Sequence, residues 1–257
     1  MLSSKSTRGI LLLLFIVTAV PSVFGQSLTN KIFAARAEKE FLKRQAAFAA
    51  NPDELTNCWE FARACYDWAD CATNDTQREN IADQGIAAAK HLIAQHSKSA
   101  AGHYYLGMNY GQRAEAIEPA LEAIHLVNEI EKEFKICEPL DPHFDYAGPA
   151  RNLGLLYRDA PGWPLSIGSN QKAREYLVKA TTLNPEYPEN QLNLAESQLH
   201  WHNYDDAAKT LKKLEEIWPA AKTNFTGEAW EPSWSDWIPR RAAAEAALQK
   251  YHPAPAP

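Results

Sequence analysis

The strongest constraint on the fold is a repeat of residue types at a spacing of 34 positions. Two stretches share one order of small, large and Pro residues: Ala173, Leu177, Ala180 and Pro185 in the first, and Ala207, Leu211, Leu214 and Pro219 in the second. Self-similarity at a period of this length is typical of stacked supersecondary units, each of them a pair of helices. The repeat therefore predicts helix hairpins that pack side by side.

The first helix of each hairpin carries its own signature. Leu106-Gly107 with Tyr110 and Leu153-Gly154 with Tyr157 repeat one pattern, and Leu194-Ala195 takes the same place before Ala207. The small residue lets two helices approach closely, the large residues fill the groove between neighbours, and the Pro is expected to end the second helix. Because one hairpin cannot bury its own apolar face, about three or more must stack. The sequence supplies four.

Apolar periodicity predicts helices through the rest of the chain, over 28–50, 53–69, 75–93, 99–114, 117–136, 146–158, 170–183, 188–201, 204–218 and 239–251. Sustained period-two alternation, which would indicate strands, is absent from the sequence, and Gly is scarce at 11 residues. The predicted fold class is all-α, a right-handed α-solenoid of stacked helix hairpins. An irregular helical bundle is the alternative.

The N-terminus has the layout of a secretory signal peptide. Lys5 and Arg8 precede an apolar run over 10–20, and small residues follow up to Gly25. The run is shorter than the roughly 20 residues that a membrane span needs, so we expect cleavage before Gln26. The predicted location is periplasmic or secreted, without stable membrane insertion after cleavage. An uncleaved anchor is the alternative.

These features divide the chain into four segments. The signal peptide takes 1–25, an N-terminal amphipathic helix 26–52, and the repeats 53–220. Residues 221–257 form a Trp-rich capping segment with a final helix and a Pro/Ala tail. Four Trp residues lie close together at the end of the repeats: Trp218, Trp230, Trp234 and Trp237. A solenoid must cover its last apolar face, so we interpret this cluster as a cap.

The four Cys residues predict a disulfide if the chain is exported, because export exposes thiols to oxidation. Cys58 and Cys65 are seven positions apart in a helical pattern, about 10.5 Å along the axis, which is too far for a bridge. We therefore expect at least one disulfide that joins Cys71 or Cys137 to another Cys, and the sequence does not choose among the pairings.

Charge and motifs narrow the function. The net charge of −6 does not favour nucleic acid as a partner. The sequence has no GxSxG, HExxH, P-loop or GxGxxG motif, so we predict a protein that is not an enzyme and that has no cofactor, catalytic residues or metal site. The alternative is a metal-dependent or other hydrolytic enzyme on a helical-repeat scaffold. A tight cluster of His143, Asp145, His200 and His202 would favour it.

The binding prediction rests on register. Alignment on Gly107, Gly154 and Ala195 turns five side chains toward the concave face: Tyr104, Arg151, Arg158, Glu196 and His200. Arg binds carboxylates bidentately, so the predicted partner is another protein or a small carboxylate ligand. For any one of these residues a solvated surface role is the alternative.

An insertion after Tyr157 adds a loop rich in Pro and Gly that carries Trp163. A Trp on a shaped surface loop is typical of recognition, so Trp163 is also a predicted binding residue and would close over one end of the groove. The alternative places Trp163 back against the helix ends as a plug.

Residues 53–220 resemble tetratricopeptide proteins in the period and in the small, large and Pro positions described above. The stretch 145–161, with Asp145-Tyr146-Ala147-Gly148-Pro149 at its start and Arg158-Asp159-Ala160-Pro161 at its end, is similar to the T component of TRAP transport systems. That resemblance implies a periplasmic accessory to solute transport, with a periplasmic substrate-binding protein as partner. Members of that family are typically lipid-anchored through a Cys that this chain lacks, a difference that bears on membrane tethering.

Overall fold

The computed structural model describes residues 23–117 and 120–251, and their side chains from 31 onward except 118–121. This part of the chain contains ten α-helices: α1 (Val23–Ala50), α2 (Leu55–Ala69), α3 (Asp75–Gln95), α4 (Ala100–Ala116), α5 (Ala120–Leu140), α6 (Gly148–Asp159), α7 (Asn170–Leu183), α8 (Pro188–His200), α9 (Tyr204–Asn224) and α10 (Glu231–Tyr251). Extended pairing in these residues is limited to one bridge between Gly162 and Gly168. The all-α fold class is confirmed.

Consecutive helices pack as hairpins, α2 with α3, α6 with α7 and α8 with α9. None of the described helices is long and apolar enough to cross a membrane. Residues 1–22 of the predicted signal peptide lie outside the part of the chain that the structure describes. Helix α1 begins at Val23, so the predicted cleavage point before Gln26 falls in its first turn.

Capping residues set the helix starts. Helix α7 spans the predicted residues, and the Ser169 hydroxyl accepts a hydrogen bond from the Lys172 backbone N–H at 3.3 Å. The Asn74 side chain caps α3 by accepting a hydrogen bond from the Gln77 backbone N–H at 2.9 Å. Each cap satisfies a donor that the first helical turn leaves unpaired.

Small residues let the hairpin helices approach, as the repeat predicts. Ala173, Ala180 and Ala207 are completely buried. A Cβ on Gly154 would stand 2.6 Å from the Leu177 Cγ atom, closer than real carbon atoms approach. Gly is therefore required where α6 crosses α7, and the buried Leu177 fills the space that it leaves.

The prediction that a Pro ends each second helix is right at one position and wrong at the other. Pro185 follows the end of α7, but Pro219 lies inside α9, which continues to Asn224. A Pro in a helix interior costs about 3 kcal/mol. Burial of Trp218, Ala221 and Phe225 in one apolar cluster offsets that cost and carries the helix onward.

Aromatic side chains fill this cluster at the end of the chain. Trp237 is completely buried, and its ring centroid lies 5.1 Å from that of Trp234 and 5.4 Å from that of Tyr187. Helix α10 packs against both α8 and α9. The final helix begins eight residues earlier than predicted, at Glu231, because Trp234 and Trp237 need helical geometry to reach the cluster.

The described chain divides into two compact units, the first made of Phe24–Ser97 and Tyr105–Lys132 without 118–119, and the second of Lys98–Tyr104 and 133–251. In the first unit α1 packs on α2 through Phe41, whose ring lies 5.5 Å from Phe61 and 4.4 Å from Trp68. All candidate site residues belong to the second unit.

The disulfide prediction is wrong, because all four Cys residues are free thiols. The thiol of Cys137 donates to the Ala100 carbonyl at 3.2 Å, and that of Cys58 donates to the Pro52 carbonyl at 3.0 Å. Cys58, Cys65 and Cys137 are buried, so they behave as small apolar residues of the helix interfaces.

Candidate binding surface

Arg151 and Tyr104, both predicted as exposed contacts, are buried together. Arg151 is 6% exposed, and its Nη2 donates to the Asp145 carboxylate at 2.6 Å. Its Nη1 donates to Asn190 Oδ1 at 3.2 Å and to two backbone carbonyls. The Tyr104 hydroxyl donates to the same Asp145 oxygen at 2.5 Å. Direct contact of Arg151 or Tyr104 with a partner stays a prediction, and the burial of both side chains argues against it.

The two carbonyls that Arg151 holds belong to an unusual turn before α6. Asp145, Tyr146 and Ala147 all have positive φ, at 48°, 54° and 63°. Left-handed backbone costs roughly 1–2 kcal/mol for each residue that is not Gly. The guanidinium binds the carbonyls of Asp145 and Tyr146 and so stabilises the turn. Arg151 therefore has a structural task that its register position did not indicate.

Arg158 lies further along α6 and is also paired within the protein. Its Nε and Nη2 donate to the two oxygens of Asp159 at 2.6 and 2.8 Å. Its Nη1 donates to the Ser197 hydroxyl on α8 at 3.0 Å. The pair is partly exposed, so Arg158 is within reach of solvent but its charge is already balanced.

Glu196 takes part in an ionic cluster around Arg240 on α10. The guanidinium binds both Glu196 oxygens at 2.9 and 2.8 Å, Glu189 at 2.8 Å and Asp236 at 2.6 Å. Asn193 Oδ1 accepts a further hydrogen bond at 2.6 Å. Sequence reasoning missed Arg240, because no periodic pattern sets the register between α8 and α10.

Burial and the surrounding charges together set the pKa values of two carboxylates in this cluster. Burial raises the pKa of Glu189, but Arg240 and then Arg151 act against it, and the net shift is downward. For Asp236 burial is the main cause, Glu189 and Glu196 add to it, and the pKa is raised despite Arg240. Three carboxylates therefore share the guanidinium group of Arg240.

The carboxylates also lie outside the cations. The Asp145 side chain is 38% exposed where its partner Arg151 is 8% exposed, and Asp236 is 47% exposed where Arg240 is 2% exposed. Glu196 is partly exposed. We call the surface of Asp145, Asp159, Glu189, Glu196 and Asp236 the acidic face. It presents carboxylates to an incoming molecule and keeps most of its cations beneath them.

The two remaining predicted residues are exposed. His200 ends α8. Trp163 is 89% exposed on the loop between α6 and α7, so the alternative that placed it as a plug against the helix ends is wrong. Leu165, two residues on, is 66% exposed. The structure therefore buries Tyr104 with Arg151, joins Arg158 to Ser197 of α8, and exposes Trp163 on the loop after α6.

The cluster that would favour a hydrolytic enzyme does not form. The His143 ring lies 3.1 Å from Asn184 Oδ1, and the His202 ring lies 2.8 Å from the Tyr204 hydroxyl. Asp145 is engaged by Tyr104 and Arg151. Over the described part of the chain, no group of three or more His, Cys, Asp or Glu residues is placed to hold a metal ion.

Comparison with known proteins supports the fold. No family model and no curated protein matches the chain. Among solved structures it is similar to a thermophilic TPR protein of Thermus thermophilus, with a TM-score of 0.61 and 20% sequence identity. The match covers 86% of this chain and 96% of that one. At this identity the likeness shows the fold alone, and that fold is of the tetratricopeptide type.

Proposed function

We propose that this chain is a non-catalytic scaffold that binds another protein, and that the acidic face receives a basic segment of that partner. The single observation that carries the proposal is the layering of charge at two ion pairs of the face, where Arg151 and Arg240 are buried and their partners Asp145 and Asp236 are exposed. Electrostatic complementarity steers association and selects partners. A Lys or Arg side chain would meet the partly exposed carboxylates of Asp236 and Glu196, which share one guanidinium group.

The same layering makes a small carboxylate a poor ligand. Arg151 and Arg158, which the sequence offers for that role, each have an internal carboxylate within 2.6 Å. An external carboxylate would have to displace Asp145 or Asp159. The new ligand would therefore have to replace hydrogen bonds that each guanidinium group already makes within the protein.

Two narrower proposals depend on the sequence alone. An exported location, periplasmic or secreted, depends on the basic and apolar layout of residues 1–25. An accessory role in solute transport depends on the resemblance of 145–161 to the T component of TRAP systems, and the comparisons with known proteins add nothing to it. Both remain proposals, and neither depends on whether the partner carries a basic segment.

Binding of a short fluorescent oligo-lysine peptide tests the acidic face, with an oligo-glutamate peptide of the same length as a control. Anisotropy titrations should show binding of the lysine peptide alone, weakened by added salt because exposed charges are screened. Asp236→Asn should weaken it about two- to fivefold at low salt, the scale of an exposed ion pair.

The matched control is Glu215→Gln, which removes one exposed carboxylate from α9, a helix that contributes no residue to the acidic face. Urea unfolding of each variant accounts for any loss of folded protein. If Glu215→Gln weakens the peptide as much as Asp236→Asn does, the peptide responds to overall charge and the acidic face is not the binding site.

A further inference from the structure

The loop between α6 and α7 exposes three consecutive apolar residues, Trp163, Pro164 and Leu165. Trp163 is the most exposed large apolar residue in the described part of the chain, at 89%. Single exposed apolar residues are ordinary on protein surfaces, but a Trp and a Leu so close together on one projection are not. We call these three residues the apolar tip.

The apolar tip stands on a loop that is fastened at its base. The Gly168 N–H donates to the Pro161 carbonyl at 2.9 Å, and the Ser169 N–H donates to the Tyr157 carbonyl of α6 at 2.8 Å. Within the loop the Leu165 N–H donates to the Gly162 carbonyl at 3.0 Å. These bonds hold the backbone of the tip in place before anything binds to it.

Gly168 shows how closely the base is packed. A Cβ on Gly168 would overlap the Ala160 carbonyl oxygen, so a larger residue would force the loop apart. A loop fixed in this way has little conformational entropy left to lose on binding. Preorganisation of this kind raises affinity because it lowers the cost of ordering the contact.

We infer that the apolar tip inserts into an apolar pocket on a protein partner, with Trp163 as the anchor. Buried Trp residues dominate the binding energy of many protein interfaces and are usually seated in a partner's pocket. This inference deepens the proposed function and rests on its first part, that the chain is a scaffold that binds another protein. It assigns the partner two features, a basic segment for the acidic face and a concave apolar site for the tip.

A second copy of this chain fits the tip poorly. Trp and Leu together offer about 200–400 Å², whereas a stable interface needs roughly 800 Å² from each side. The rest of the contact would have to come from neighbouring surface. Helix α6 leads directly into the loop and ends at Asp159, and α8 beside it carries further carboxylates. These carboxylates would repel the same groups on a second copy.

A lipid surface also fits poorly. Segments that insert into membranes usually surround their aromatic residues with Lys and Arg, which bind anionic headgroups. Of the cations that flank the loop in sequence, Arg158 is neutralised by Asp159 and Lys172 lies over the Tyr157 ring, 4.9 Å from its centroid. The chain has a net charge of −6. The charge of the molecule therefore favours a protein partner over an anionic membrane.

Site-specific photo-crosslinking in cells of the source organism tests the inference. A photoreactive phenylalanine analogue replaces Trp163 in the full chain, and in a separate variant it replaces Val178, an exposed apolar residue on α7. We expect a specific protein adduct at 163 that is absent at 178. Mass spectrometry identifies that protein, which is then purified.

Calorimetry with the purified protein gives the decisive comparison. Trp163→Ala should raise its Kd about 10- to 100-fold, the range of an anchor residue. Trp163→Phe should recover part of the loss, and Val178→Ala should leave the Kd unchanged. Because Trp163 is exposed, the thermal unfolding of Trp163→Ala should match that of the wild type.

Several results would overturn the inference. These are the lack of any adduct at 163, equal adducts at 163 and 178, or a Kd that Trp163→Ala does not change. Binding to phosphatidylcholine and phosphatidylglycerol vesicles that is lost in Trp163→Ala would identify a membrane instead, and concentration-dependent dimerisation lost in that variant would identify a second copy. If the oligo-lysine peptide does not bind but Trp163→Ala still raises the Kd, the acidic face is rejected and the inference about the apolar tip is retained.

Discussion

Replacement of Arg240 by Met should destabilise the second unit strongly. The guanidinium is almost fully buried and binds Glu189, Glu196 and Asp236 at 2.6–2.9 Å. Met has a similar length but no charge, so the variant leaves the carboxylates without their cation. Removal of one partner from a buried ion pair costs about 3–5 kcal/mol, and we expect a loss of that size at neutral pH.

The pH dependence identifies the cause of that loss. In the wild type the pKa of Glu189 is lowered on folding, so its contribution to stability is present above the unfolded pKa and is lost as the pH falls through the folded pKa. Loss of Arg240 removes the largest influence that lowers the pKa of Glu189, so its folded pKa is higher in the variant than in the wild type. The wild type loses the contribution of Glu189 to stability in acid, so the deficit of the variant should shrink as the pH falls.

Urea unfolding followed by Trp fluorescence, at neutral pH and near the ordinary Glu pKa, measures this effect. Hydrogen exchange of α10 reports on the same unit independently. Arg241→Met is the matched control, because Arg241 lies next along α10, pairs with the exposed Glu245 and stacks on Trp218 at 4.7 Å. It should cost about 1 kcal/mol or less. A loss below about 1 kcal/mol for Arg240→Met, or a deficit that grows in acid, would refute the reasoning.

Three further predictions concern packing and chemistry. Gly154→Ala should lower the free energy of unfolding by about 1–3 kcal/mol in urea titrations, because its Cβ overlaps Leu177, whereas Gly111→Ala, where a Cβ has open space, should not. Arg151→Met should cost about 3–5 kcal/mol by the same assay, and a variant as stable as the wild type would mean that the left-handed turn does not need its guanidinium. Cys58, Cys65 and Cys137 should react with a thiol reagent only after denaturation, since burial raises the pKa of each thiol, that of Cys137 to about 12; fast reaction of more than one thiol in native protein would contradict this.

The repeat made the hairpins predictable because packing depends on residue size at fixed intervals. Helix α7 occupies the predicted residues, and the small positions Ala173 and Ala207 are buried as expected. Pro219 shows the limit of that reasoning. Its position in the repeat predicts a helix end, but the aromatic cluster beyond it stabilises further turns, and this cluster belongs to the end of the chain rather than to the repeat.

Of the five carboxylates of the acidic face, register predicted only Glu196 as a binding residue, and it did not predict the burial of Arg151. Register placed Arg151 on the first-helix face, where an exposed guanidinium is expected. The structure covers it with Asp145, the first of three consecutive left-handed residues, none of them Gly. No local signal in the sequence marks such a turn. Exposure of Trp163 could be expected from the Pro and Gly around it, whereas the hydrogen bonds that fasten its loop could not.

The most direct test of the account is to map where the oligo-lysine peptide binds on the intact chain. Amide chemical-shift changes on titration of isotope-labelled protein locate the site residue by residue. We predict that the largest changes fall on α8 and α10 around Glu196 and Asp236, and that they diminish in Asp236→Asn. Changes spread evenly over the surface, or centred on the exposed carboxylates of α9, would contradict the claim that the acidic face is the binding surface of this scaffold.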